Sequence, residues 1–113
     1  MTPEGMDLDP ESRIQLERLF DREMRALYDA WRTKCNYRAT RFLRLVKNRG
    51  GLEAAKKLLG SRGVSQGFTA LTELGSLDLT VEALVLQPPW RSLFSDQEIA
   101  VAFKRILAAK RTA

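Results

Sequence analysis

Residues 9–31 read DPESRIQLERLFDREMRALYDAW, and this stretch decides the fold class. Asp9 is placed to cap a helix whose first residue is Pro10, where a missing N–H costs nothing. Leu16, Phe20, Met24, Leu27 and Trp31 follow at steps of three and four. At about 100° per residue they fall within an arc of about 80°, with Arg18, Arg22, Arg25 and Asp29 on the opposite side. The segment therefore predicts an amphipathic helix of roughly 22 residues. Its apolar stripe must be covered, either by the rest of this chain or by a partner.

The remainder repeats the helical period in shorter pieces, and no stretch alternates as a strand would. A second helix is predicted from Asn36 to Asn48, closed by Gly50-Gly51. Its inward face is Ala39, Phe42, Leu43 and Val46, with Arg41, Arg44 and Lys47 outward and Arg38 at the border. A third spans Leu52 to Leu59 and stops at Gly60, with Leu52, Ala55, Leu58 and Leu59 inward. A fourth follows Ser65, uses Phe68, Leu71 and Leu74, and stops at Gly75. Asp78 or Thr80 caps a fifth that runs to Leu86 and is ended by Pro88-Pro89. Trp90 reads as filling the gap between the last two helices. Ser95-Asp96-Gln97-Glu98 is a capping box. The helix it opens is predicted to face inward through Ile99, Ala102, Phe103, Ile106 and Leu107, with Lys104, Arg105, Lys110 and Arg111 on its flanks and tail. The expectation is an all-α fold: a compact bundle of five to six helices, one long N-terminal helix followed by short ones. One domain covers 1–113, residues 1–8 read as flexible, and the helix over 9–34 packs on the module or on a partner.

A chain of 113 residues with 44% hydrophobic content can bury one core without staples. It has no histidine and a single cysteine, Cys35. Those two counts remove the Ser-His-Asp triad, the Cys-His pair, nearly every zinc site and any disulfide framework. Cys35 reads as a half-buried structural thiol, although Lys34, Arg32 and Arg38 lie near it in sequence. No Glu-x-Lys is present to serve a restriction-type metal site, and Glu53-Ala-Ala-Lys56 is more simply an i,i+3 ion pair. Gly60-Ser61-Arg62-Gly63 lacks the Lys-Ser/Thr ending of a phosphate loop. No catalytic residue, metal or cofactor is expected, and no small-molecule substrate is indicated. The acidic start, Met1 to Pro10, is unlike a secretory signal, and the longest apolar run, Ile99 to Phe103, is far too short for a membrane span. The expected location is cytoplasmic.

Charge is distributed in blocks. The chain carries a formal +5, but residues 1–30 are net −4, residues 31–63 net +9, residues 64–98 net −4 and residues 99–113 net +4. The basic block offers Arg38, Arg41, Arg44, Lys47, Arg49, Lys56, Lys57 and Arg62 as phosphate-contacting residues, since backbone binding needs several cations on one surface. The competing reading is a solvated face that pairs with the acidic first helix. Residues 53–74 also look faintly like a helix-turn-helix. The presumed reading helix from Ser65 to Leu74, however, offers Gln66, Thr69, Thr72 and Glu73 and no cation.

Four runs carry a resemblance to a known family: Gly50 to Ala55, Gly67 to Leu71, Leu77-Asp78-Leu79-Thr80-Val81-Glu82-Ala83, and Leu93 to Asp96. Over residues about 36–107 the chain resembles a largely uncharacterised group of small bacterial all-helical modules. These occur alone or attached to nuclease and restriction-type proteins. The resemblance implies a compact helical module, a nucleic-acid or defence setting and no catalytic residues. Thr72, Leu74 and Ser76 stand where relatives often carry Trp and Arg, so no role is carried over to that turn. The long first helix lies outside the match. Two functions are thus expected. The first is a non-enzymatic accessory module that binds the nucleic-acid backbone. The alternative is a protein-interaction or homodimerisation module using Leu16, Phe20, Met24, Leu27 and Trp31.

Overall fold

The computed structural model describes residues 9–112. The expectation of flexibility for residues 1–8 lies outside them. The described residues form an all-α bundle: α1 (Pro10–Lys34), α2 (Thr40–Arg49), α3 (Gly51–Gly60), α4 (Gln66–Glu73), α5 (Val81–Val85) and α6 (Asp96–Thr112). Two short 3-10 turns, Leu77–Leu79 and Trp90–Leu93, join the later helices.

The first helix follows its sequence closely. Asp9 accepts the Ser12 N–H at 2.7 Å, as an N-cap should. Phe20 and Met24 are fully buried, Trp31 is 2% exposed, and Leu16 and Leu27 pack half-buried against the same cluster. Their cover comes from α2, α3 and the Trp90–Leu93 turn. The stripe read as a partner interface is therefore this chain's own core face. Trp90 packs on α1, its ring 5.7 Å from that of Phe20. Phe94 meets the same Phe20 ring edge-on at 5.5 Å. Burying each such aromatic is worth about 1.5–3 kcal/mol, so this corner anchors the bundle.

Between α1 and α3 the chain comes close because residue 51 has no side chain. A Cβ there would lie 2.7 Å from the Asp21 Cα. The Asp21 carboxylate instead accepts the Gly51 N–H at 2.7 Å, capping α3 from a neighbouring helix. Gly50, at φ +84°, provides the turn that separates α2 from α3. The second helix starts at Thr40, four residues later than its periodicity predicts. Asn36 takes a positive φ of 50°, and the Tyr37 N–H folds back onto the Trp31 carbonyl, so residues 35–39 are a connector. The other starts are capped as the sequence suggests: Ser65 accepts from Phe68, Thr80 from Ala83, and Ser95 and Glu98 exchange both bonds of the capping box. Thr80, not Asp78, is thus the cap of α5.

On α6 the predicted face is wrong by roughly a quarter turn. Ala102 and Ala109 are buried and Ile99 and Ile106 half-buried, whereas Phe103 is 56% exposed and Leu107 40% exposed. Arg105, expected on the flank, points inward. Leu74, expected to pack from α4, is also exposed.

Candidate functional site

Charged side chains fall into two groups, those held by the fold and those left free. Arg105 belongs to the first. Its Nη1 donates to the Leu58 carbonyl and to Glu82 Oε2, both at 3.0 Å. Its Nη2 donates to the carbonyls of Ser61 at 2.9 Å and Gly63 at 3.2 Å. One guanidinium thus ties the end of α3, the loop after it and α5 to α6. Glu82 is only 2% exposed and has this cation as its ion-pair partner. Lys56 is held as well. It pairs with Glu98 at 2.9 Å and lies over the Phe94 ring, 5.4 Å from its centroid. Burial works against the Glu98 carboxylate, but the Ser95 N–H and Lys56 outweigh it and hold its pKa below the ordinary value.

The second group includes the outer side of α2. Arg41, Arg44 and Lys47 recur at steps of three and are exposed, as are Arg38 before them and Arg49 at the end. A step of three advances about 4.5 Å along the axis, so Arg41, Arg44 and Lys47 form a cationic row about 9 Å long. Among the described residues none of these five is in an ion pair, and the exposed Lys57 and Arg62 are equally unpaired. Nor is Arg38, Arg41, Arg44 or Lys47 in an ion pair with the acidic first helix. Glu17 pairs with Arg13, and Asp21 with Arg25 and the Gly51 N–H, all within α1 or at the α3 start. Arg49 stands apart from the row, in a hollow shared with Glu17, Asp21 and Glu53. Of the eight cations read from the sequence, the structure withdraws Lys56 and places Arg49 among carboxylates. Arg32 and Lys34, in the last turn of α1, are two exposed cations of the same basic block that the sequence reading left out.

A cleft of about 600 Å³ opens beside the start of α2. It lies between the 35–39 connector, the first turns of α2 and α4, and residues 80–82. Phe42 and Phe68 give it an apolar floor above the buried Trp31, and Arg38 and Arg41 line its mouth. The Trp31 ring is fixed there, because its Nε1–H donates to the Leu79 carbonyl at 2.7 Å and its centroid is 4.5 Å from that of Phe42. The first turn of α2 has no side-chain cap, so its leading N–H groups lack the partner that Ser65 supplies to α4. Residues between 31 and 82 meet in this cleft, and no local pattern marks them. Cys35 is half-buried and approaches the Ser76 hydroxyl at 3.5 Å, as a structural thiol would.

Among the described residues no helix is long and apolar enough to cross a membrane, and no group of three or more His, Cys, Asp or Glu is placed to hold a metal. Comparison with protein-family models, curated proteins and solved structures gave no match to this chain.

Proposed function

We propose that this protein is a binding module for the nucleic-acid backbone, with the outer face of α2 as its contact surface. The observation that carries the reading is the unpaired row of Arg41, Arg44 and Lys47, flanked by Arg38, exposed at regular spacing on one helix. Side chains that a fold does not use, held at regular spacing on a helix, are available to phosphates. Each phosphate neutralised releases counterions, and this entropy drives association. The reading takes the protein as a non-enzymatic accessory module, in the nuclease or defence setting that the resemblance over residues 36–107 implies.

Its test is a salt titration of a DNA or RNA duplex. Affinity is expected to fall with salt, with a log–log slope near −0.9 per phosphate contacted. Reversing Arg41, Arg44 and Lys47 together to Glu is expected to lower duplex affinity at least a hundredfold and to shrink the slope by about three contacts. Helicity by circular dichroism is expected to stay the same, because none of the three contributes to the core. Undetectable or salt-independent binding by the unaltered protein sinks the proposal. The protein-interaction or homodimerisation alternative draws less support from the stripe of α1, because Phe20, Met24 and Trp31 are buried and Leu16 and Leu27 half-buried against this chain's own core.

A further inference from the structure

The cleft beside α2 has a shape and chemistry that a phosphate row alone does not require. Its volume of about 600 Å³ is within the range of small-molecule pockets. The floor is aromatic and apolar, and the mouth is cationic with no acid paired to it. On the wall formed by residues 80–82 stands Glu82, a buried carboxylate that accepts from Arg105 and can accept further N–H donors. A flat apolar body, an edge bearing N–H groups and an anion outside describe a nucleotide. Arg41 belongs both to the mouth of the cleft and to the outer row of α2, so a backbone following that row passes the opening.

We propose that the cleft takes one unstacked nucleobase, its flat face against the wall of Phe42, Leu45 and Phe68, its edge toward Glu82 and its phosphate on Arg38 and Arg41. This rests on the nucleic-acid reading and goes beyond it, because it makes an unpaired nucleotide the preferred target. A paired base is stacked in its duplex and cannot enter unless it is pulled out, at a cost of a few kcal/mol. The same chemistry is available from a free mononucleotide and from an unpaired residue in a strand.

The experiment compares a fluorescently labelled single strand with the duplex of the same sequence, bound to the full chain. Single-strand affinity is expected to exceed duplex affinity by about tenfold, within the range for stacking one base on aromatic side chains. Gly67→Leu tests the cleft without touching a charge. A Cβ at residue 67 would sit 3.7 Å from the Tyr37 Oη and 3.8 Å from the Ser65 Oγ, so a longer side chain occupies the cleft. This variant is expected to lose the tenfold preference and to keep duplex binding. Gln66→Glu is the second variant. A carboxylate in the first turn of α4 favours the helix but repels a phosphate at the cleft, so it is expected to fold normally and bind the single strand more weakly.

AMP, CMP, GMP and UMP are then added as competitors, with inorganic phosphate at the same concentration as the control. Displacement by nucleotides and not by phosphate supports the base site. If the single strand is preferred yet no nucleotide displaces it, the source is the strand. If nucleotides bind without any strand preference, the source is the free nucleotide. Equal displacement by phosphate overturns the proposal, and so does an unchanged preference in both variants. In either case salt-dependent duplex binding would leave the backbone reading standing. Loss of all binding by the unaltered protein would remove both.

Discussion

The cationic row of α2 and the single Arg105 of α6 are treated by the fold in opposite ways. On α2, Arg41, Arg44 and Lys47 face solvent without an ion-pair partner among the described residues. On α6, Arg105 is turned inward and bonded to three carbonyls and a carboxylate. The difference lies in what surrounds each side chain. Arg105 stands where α3 ends and exposes carbonyls that need donors, and where Glu82 is buried and needs a counter-charge. No such groups lie over the outer face of α2. A cation's sequence position therefore says little about its task, and its unsatisfied neighbours say much more.

The comparison can be broken most forcefully at Arg105. Arg105→Ala leaves Glu82 buried without its partner and is expected to cost about 3–5 kcal/mol in urea unfolding. Removing both charges, as Arg105→Met with Glu82→Leu, is expected to cost clearly less than Arg105→Ala alone. A single substitution within about 0.5 kcal/mol of wild type would mean that Arg105 is no clamp. The Arg41, Arg44 and Lys47 reversal is the mirror image, with a large effect on affinity and none on the unfolding midpoint. A lowered midpoint in that variant would erase the distinction between the two helices.

Glu98 supplies a smaller test. Its pKa is held below the ordinary value near 4.5, so its contribution is present above that value and is lost as pH falls through it toward the lowered pKa. The Lys56–Glu98 pair is partly solvated, which keeps the effect to about 1 kcal/mol. Melting temperature is expected to decline on acidification below about pH 4.5, and less steeply in Glu98→Gln. The smallest effect belongs to Phe103. Because it is exposed, Phe103→Ser is expected to change stability by no more than about 0.5 kcal/mol, against several kcal/mol for a buried Phe.

How far the sequence could be read follows from how local each determinant is. The stripe of α1 is apolar throughout and the caps at Asp9, Ser65, Thr80 and Ser95 act within three residues, so periodicity and capping rules suffice for them. The inward face of α6 holds Ala102, Ala109, Ile99 and Ile106 beside Arg105 and Glu98, and the placement of these two charged residues depends on partners some 23 to 47 residues away in sequence. A hydrophobic-moment argument weights Phe103 and Leu107 above them and turns the helix the wrong way. The start of α2 at Thr40 escapes local rules for a related reason. Only the return of the Tyr37 N–H to Trp31 converts residues 35–39 from helix to connector. The cationic row was legible as charge but not as surface, because availability depends on pairing across helices.

By itself, then, the sequence determined an all-α chain with one long amphipathic helix, its main caps and glycine stops, and a basic block centred on residues 31–63. These depend on contacts within a few residues. Tertiary structure decided the rest: Asp21 caps α3 across a gap that only Gly51 permits, Arg105 is buried, and a cleft forms from residues between 31 and 82. Each of these requires partners distant in sequence, and their energies arise only once the chain has brought them together.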